Sequence, residues 1–147
     1  MIREWTLEDA KVRNLASFTK KFDEETEFVK TDEDYAHVKY MSMMESGLAH
    51  ILVLEDEGVI KGAIGFIVSN DLHEDIKVAV ETFWFVSPEF RGGGKALVDA
   101  FEVKAVELGC KRTAMIHLAD LFPDSLEAFY VKRGYKLAEK HYIKNVR

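Results

Sequence analysis

The sequence predicts an α/β domain with one central mixed sheet covered by helices. Three observations predict it. Two helix patterns come first, a block of strand patterns fills the middle, and the last third alternates helix and strand. A strand also runs straight into three glycines and then into a strongly amphipathic helix. Finally, 147 residues without a repeat, a low-complexity stretch or a linker is the size of one domain, so the whole of 1–147 is expected to fold as a single unit.

Taken in order, Ile2–Trp5 reads as a short strand. Thr6 caps a helix running from Leu7 to about Phe22, with Asp9 completing a variant capping box. Thr31, followed by Asp32-Glu33-Asp34, starts a second helix that Gly47 stops. Leu48–Leu54 is a compact apolar strand, and Glu57-Gly58 turns it into Val59–Val68, giving a hairpin. A polar loop begins at Ser69-Asn70-Asp71, and Val78–Val86 is a strand rich in β-branched and aromatic residues. Pro88 ends that strand. Leu97, Ala100, Phe101, Ala105 and Leu108 then form the apolar stripe of a helix that Gly109 closes. Arg112–Leu118 is a further strand, Asp124 caps a last helix ended by Gly134, and Tyr135–Leu137 and Tyr142–Val146 read as terminal strand.

Composition excludes several classes. Hydrophobic residues make up 48% and charged residues 31%, which is globular material. No apolar run approaches the roughly 20 residues that span a bilayer, and Met1–Trp5 lacks the apolar core of a secretory signal. The net charge of −6, with no basic stripe, argues against nucleic acid. One cysteine, Cys110, forms no internal disulfide and fits a reducing compartment, so the chain reads as cytoplasmic. Cys110 has no neighbouring histidine to make it a nucleophile and reads as structural. The five histidines show no ligand spacing, and no metal is expected.

The most informative stretch is Val86-Ser87-Pro88-Glu89-Phe90-Arg91-Gly92-Gly93-Gly94-Lys95-Ala96-Leu97. A helix N-terminus exposes unpaired N–H groups and partial positive charge, and glycines let an anion approach that backbone. The corner therefore suits a phosphate or pyrophosphate. It is not a dinucleotide fingerprint, since Leu97 stands where the third glycine belongs. It is not a P-loop either, since Ala96 replaces the magnesium-holding hydroxyl. A plain glycine-rich turn remains open at this point.

The same stretch resembles a signature of the GNAT superfamily of acetyl-CoA-dependent N-acetyltransferases, Arg/Gln-x-x-Gly-x-Gly/Ala, at Arg91, Gly94 and Ala96. Phe85-Val86-Ser87-Pro88-Glu89-Phe90 is similar to the family's lead-in, and Ala128-Phe129-Tyr130-Val131-Lys132-Arg133-Gly134-Tyr135 to its closing signature. The two motifs lie in the family's order, one strand apart. One departure is Pro123, which stands where the family often has an asparagine that helps to hold the cofactor arm.

The resemblance implies a mostly antiparallel mixed sheet, acetyl-CoA as co-substrate and transfer to a primary amine by direct attack on the thioester. Gly92, Gly93, Gly94, Lys95 and Ala96 would offer backbone N–H groups to the pyrophosphate, and Arg91 would add charge. The amide-rich pantetheine arm would pair with the backbone of Trp84, Phe85 and Val86 like an added strand, provided the neighbouring strand splays away. By position Tyr130 carries the role of general acid toward the departing thiolate; a packing tyrosine is the alternative, since Leu126, Phe129 and Tyr130 share helical spacing. Glu81 on the same strand, His117 at the end of the next, and Asp120 are candidate bases. Phe18, Phe22, Phe28, Tyr35 and Tyr40, among many acids, lie where the family walls its acceptor, which suits a cationic small-molecule or peptide amine. Neither nucleic acid nor membrane is an expected partner, and a homodimer is left open. A non-catalytic acyl-CoA-binding or interaction module on the same fold is the alternative.

Overall fold

A computed structural model of the chain describes residues 1–13, 32–90, 92–117 and 123–147. Five strands form one sheet in the order β1-β2-β3-β4-β5: β1 Ile2–Glu4, β2 Ala49–Asp56, β3 Val59–Asn70, β4 Lys77–Val86 and β5 Cys110–Ala114. The first four are antiparallel in sequence, and β5 joins β4 in parallel, so the sheet is mixed and mostly antiparallel as expected. The β4–β5 crossover carries helix α3, Gly93–Glu107. The other helices are α1 Leu7–Val12, α2 Glu33–Glu45 and α4 Pro123–Lys132.

Local chemistry explains the ends of these elements. Thr6 accepts from the Asp9 N–H while the Asp9 carboxylate accepts from the Thr6 N–H, which is the expected capping box. Arg13 is already extended (φ −143°, ψ 129°), so α1 stops short of the expected boundary; Phe22 lies outside the described residues. The cap of α2 is Asp32, whose carboxylate accepts from the Tyr35 N–H, one residue later than expected. Glu57 and Gly58 both adopt positive φ (50° and 77°), the two-residue turn that matches strand twist. At the end of α4, Gly134 has φ 91°, its N–H reaches the Val131 carbonyl and the Tyr135 N–H reaches the Tyr130 carbonyl, a Schellman stop.

Three boundaries differ from expectation. β5 begins at Cys110 and ends at Ala114 instead of running over Arg112–Leu118. Helix α4 begins at Pro123, so Asp124 lies inside it; proline suits a first helical position because its missing N–H needs no partner. Neither Tyr135–Leu137 nor Tyr142–Val146 forms a strand. Beyond Tyr135, Leu137, Tyr142, Ile143 and Val146 are exposed and separated by charged residues, so no apolar face is buried to offset the entropy of ordering them.

Each face of the sheet carries its own core. On one, Phe66, Leu97 and Phe101 anchor the packing of α3 on the sheet, as the apolar stripe predicts. On the other, Trp5, Ile51, Val53 and Phe83 receive Tyr40, Met41 and Met44 from α2, the gap-filling role expected of the methionines. Gly65, in mid-β3, is explained by this second core. A Cβ built there would lie 2.3 Å from the Phe83 ring and 2.5 Å from the Tyr40 hydroxyl. Gly65→Ala is therefore expected to destabilise the fold by about 1–3 kcal/mol in urea unfolding. Among the described residues, no helix is long and apolar enough to cross a membrane.

Candidate active site

Strand β4 is paired with β3 along its whole length, from Asn70↔Lys77 to Gly62↔Val86. On its other edge the ladder with β5 ends at Val80↔Ala114, while β4 runs on to Val86. The two parallel strands therefore part company from Glu81 onward. Thr82 sits at the break: Phe66 pairs with Glu81 and Gly65 with Phe83, so Thr82 is an extra, bulged residue. A bulge adds twist and re-aims the side chains on either side of it. Trp84 and Val86 consequently join the α3 core, whereas Phe83 and Phe85 join the α2 core.

The glycine corner stands beside the open edge. Gly92 caps α3 with no side-chain hydrogen bond, leaving the first-turn N–H groups without a side-chain partner at the cap. Gly94 is buried, and a Cβ there would lie 3.3 Å from the Trp84 ring and 3.4 Å from Val86. That glycine lets the helix lie against β4. Gly92 differs: its φ of −62° suits any residue, and a Cβ there would meet nothing within 4 Å. The fold gives no reason for glycine at 92.

The closing signature lies at the mouth of the same cleft. Tyr130 is 8% exposed, and its hydroxyl donates to the Ile116 carbonyl at 2.9 Å. Its ring lies 6.3 Å from Trp84 and 6.5 Å, edge-on, from His117. Glu81, 5% exposed, is the one buried charged residue among those described. Among the same residues its carboxyl has no hydrogen-bond or ion-pair partner, and its charge acts on the hydroxyls of both Tyr40 and Tyr130.

Comparison with known proteins fits this geometry. The profile of the Acetyltransferase (GNAT) family matches residues 10–135. The chain belongs to the GNAT acetyltransferase family. Its fold is shared by solved structures of low identity. AAC(6')-Iy, solved in complex with the bisubstrate analogue CoA-S-monomethyl-acetylneamine, is 17% identical with a TM-score of 0.74, covering 100% of this chain and 97% of the other. Glucosamine-6-phosphate N-acetyltransferase from Arabidopsis thaliana is 19% identical with a TM-score of 0.72, covering 100% and 98%. Ribosomal-protein-alanine N-acetyltransferase from Brucella melitensis biovar Abortus 2308 is 18% identical with a TM-score of 0.71, covering 99% of each chain. No curated protein matches the sequence.

Electrostatics distinguish the acetyltransferase's titratable groups. Burial alone pushes the Glu81 carboxyl up to about 8, because nothing nearby compensates the ionised form. Burial, and then the Glu81 charge, push the Tyr130 phenol far above its ordinary value, so Tyr130 is a proton donor throughout the neutral range. Of the sequence-derived candidates, Glu81, Tyr130, His117 and Trp84 are brought to the parting of β4 and β5, beside Gly92–Gly94. Arg91 and Asp120 lie outside the described residues, as do Phe18, Phe22 and Phe28. Lys95 is exposed, with its Nζ 3.1 Å from Asp99. Among the described residues no metal-holding cluster of His, Cys, Asp and Glu occurs.

Two features escaped sequence reasoning. Arg133 ties α4 to α3, with its guanidinium 2.7 Å from Asp99 and 2.8 Å from Glu102. Tyr135 adds its hydroxyl to Glu102 at 3.0 Å and to Thr113 on β5 at 2.9 Å. This staple fixes the helix that carries Tyr130; the only signal for it was two polar groups inside an otherwise apolar signature. The second feature is the Trp84 indole N–H, which is buried with no acceptor, while its ring packs 5.5 Å from Phe129.

Proposed function

We propose that the protein is an N-acetyltransferase that moves the acetyl group of acetyl-CoA to a primary amine by direct attack on the thioester. The observation that carries this reading is the open edge of β4 beside an uncapped glycine corner, with a buried, unpaired Glu81 and the Tyr130 hydroxyl at its mouth. Two structural neighbours support the amine acceptor: one is named a glucosamine-6-phosphate N-acetyltransferase, and another carries a CoA–acetylneamine analogue.

In this reading the first-turn N–H groups of α3, from Gly92 to Ala96, bind the pyrophosphate of CoA with Arg91 adding charge. The pantetheine arm extends the sheet along Trp84, Phe85 and Val86, and a β4 backbone N–H holds the thioester oxygen as it becomes an oxyanion. Pro123 cannot supply the side-chain contact that an asparagine would. The free amine attacks the carbonyl carbon. Glu81, as carboxylate, takes the proton the nitrogen sheds, directly or through one water; His117 is the second candidate. The carbon–sulfur bond then breaks, and the thiolate takes a proton from Tyr130. Since a phenol has one proton, Tyr130 must release the Ile116 carbonyl to give it. The acids and aromatic rings of α2 and the segment before it suit a cationic amine, and the single domain spans 1–147.

Thiol release measured across a panel of amines tests the reaction, and calorimetry with CoA, ATP and NAD tests the ligand. Tight CoA binding without turnover on any amine would leave an acyl-CoA-binding module in its place. Tyr130→Phe is expected to slow turnover roughly 10²-fold with CoA affinity retained. It should cost only about 1 kcal/mol of stability, for the lost bond to Ile116. Equal turnover in that variant removes Tyr130 from the chemistry.

A further inference from the structure

The acceptor side of the site holds a contact that the proposed mechanism does not use. Tyr40, on α2, places its hydroxyl 2.5 Å from the Thr82 hydroxyl. Thr82 is the bulged residue of β4, and Glu81 is its neighbour in the chain. The phenol reaches this point because Gly65 has no side chain: any Cβ there would collide with both the Tyr40 hydroxyl and the Phe83 ring. A glycine in mid-strand weakens a sheet, and close approach of another group is the usual reason for keeping one there. Three separate features therefore converge on one spot: the bulge, the glycine and the phenol tip. The Tyr40 ring also packs on Phe83, with centroids 5.7 Å apart, so the side chain is held at both its ring and its tip.

We propose that Tyr40 is a positioning residue: through its bond to Thr82 it pins α2 onto the β4 bulge and closes the acceptor-side route by which water would reach Glu81. This deepens the acetyl-transfer reading and rests on Glu81 as its base. Among the described residues, the titratable groups facing Glu81 are Tyr40 from α2 and Tyr130 from α4, with His117 beyond Tyr130. Both phenols are neutral in the working range, because burial raises each of them. Neither therefore brings a formal charge to Glu81, and the proton affinity of that carboxyl is set by the exclusion of water. Removing the Tyr40 hydroxyl leaves a gap over Gly65 beside an unpaired Thr82 hydroxyl, polar enough to admit a water. Removing the Thr82 hydroxyl instead frees the phenol tip to leave, or to turn its proton toward the Glu81 carboxylate. Either change favours the ionised carboxyl.

The test is a carbon-13 NMR titration of the ligand-free protein labelled at glutamate carboxyl carbons, with Glu81 assigned by the signal missing from Glu81→Gln. The wild-type midpoint is expected near 8. Tyr40→Phe and Thr82→Val should each lower it by at least about half a pH unit, and the double variant no further than the larger single effect. Thr82→Val, close in shape to the native residue, covers the case in which Tyr40→Phe does not fold. CoA affinity should stay unchanged in both, since neither residue lies at the glycine corner. A midpoint that stays put in the variants, or rises, overturns the proposal. Failure of the wild type to acetylate any amine would overturn the functional reading while leaving this titration as it stands.

Discussion

Glu81→Gln is expected to slow acetyl transfer by roughly 10²–10⁴-fold while leaving CoA binding intact. The amide keeps the size and the apolar contacts of the carboxyl but cannot accept a proton. The pH dependence makes the prediction specific. With its carboxyl titrating near 8, Glu81 is mostly protonated at neutral pH, so the rate should climb as pH rises toward 8. An alkylamine acceptor deprotonates only near pH 10, so its own limb lies higher. The variant should lose the lower limb and keep the upper one. Stability changes in the opposite sense. The folded carboxyl binds its proton more tightly than the unfolded one, at about 8 against 4.5. Its contribution is therefore fully present below 4.5 and is lost as pH rises to about 8, with a slope of up to about 1.4 kcal/mol per pH unit. Glu81→Gln should flatten that slope in urea unfolding across the same window. A variant with full activity and an unchanged rate profile would remove Glu81 as the base and turn attention to His117.

The parts of this fold that were legible in the sequence are those governed by local rules. Thr6 with Asp9, Glu57-Gly58, the stripe from Leu97 to Ala105 and the glycine stops at 47, 109 and 134 each express a short-range preference that the structure keeps. The terminal strands failed because Tyr142 and Val146 carry strand propensity but have no apolar face to cover, and propensity without burial does not order a chain. In the site, Glu81 was named because it shares a strand with the cofactor residues. What the sequence could not supply was its isolation, which depends on a bulge at Thr82 and a phenol arriving from a helix forty residues away. The Arg133 staple was hidden for a similar reason: its partners, Asp99 and Glu102, lie on another helix and read in isolation as ordinary solvent-facing acids.

Gly92→Ala should separate the two reasons for a glycine corner. At Gly94 the fold itself resists a side chain, because Trp84 and Val86 already stand at contact distance. Loss of function there would be ambiguous between a displaced helix and a blocked ligand. At Gly92 the backbone is in the ordinary helical region and the space around it is open. Alanine at a helix cap costs at most a few tenths of a kcal/mol relative to glycine, and it removes some unfolded-chain freedom in compensation, so thermal unfolding should barely move. If a diphosphate sits against this corner, the added methyl group meets it and holds it away from the first-turn N–H groups. CoA affinity measured by calorimetry should then fall about tenfold or more, roughly 1.4 kcal/mol. The two readouts must part: an unchanged melting temperature with weakened CoA binding supports the backbone clamp. Unchanged affinity would mean that no ligand approaches Gly92, and the anion site would have to be sought elsewhere along the open edge of β4.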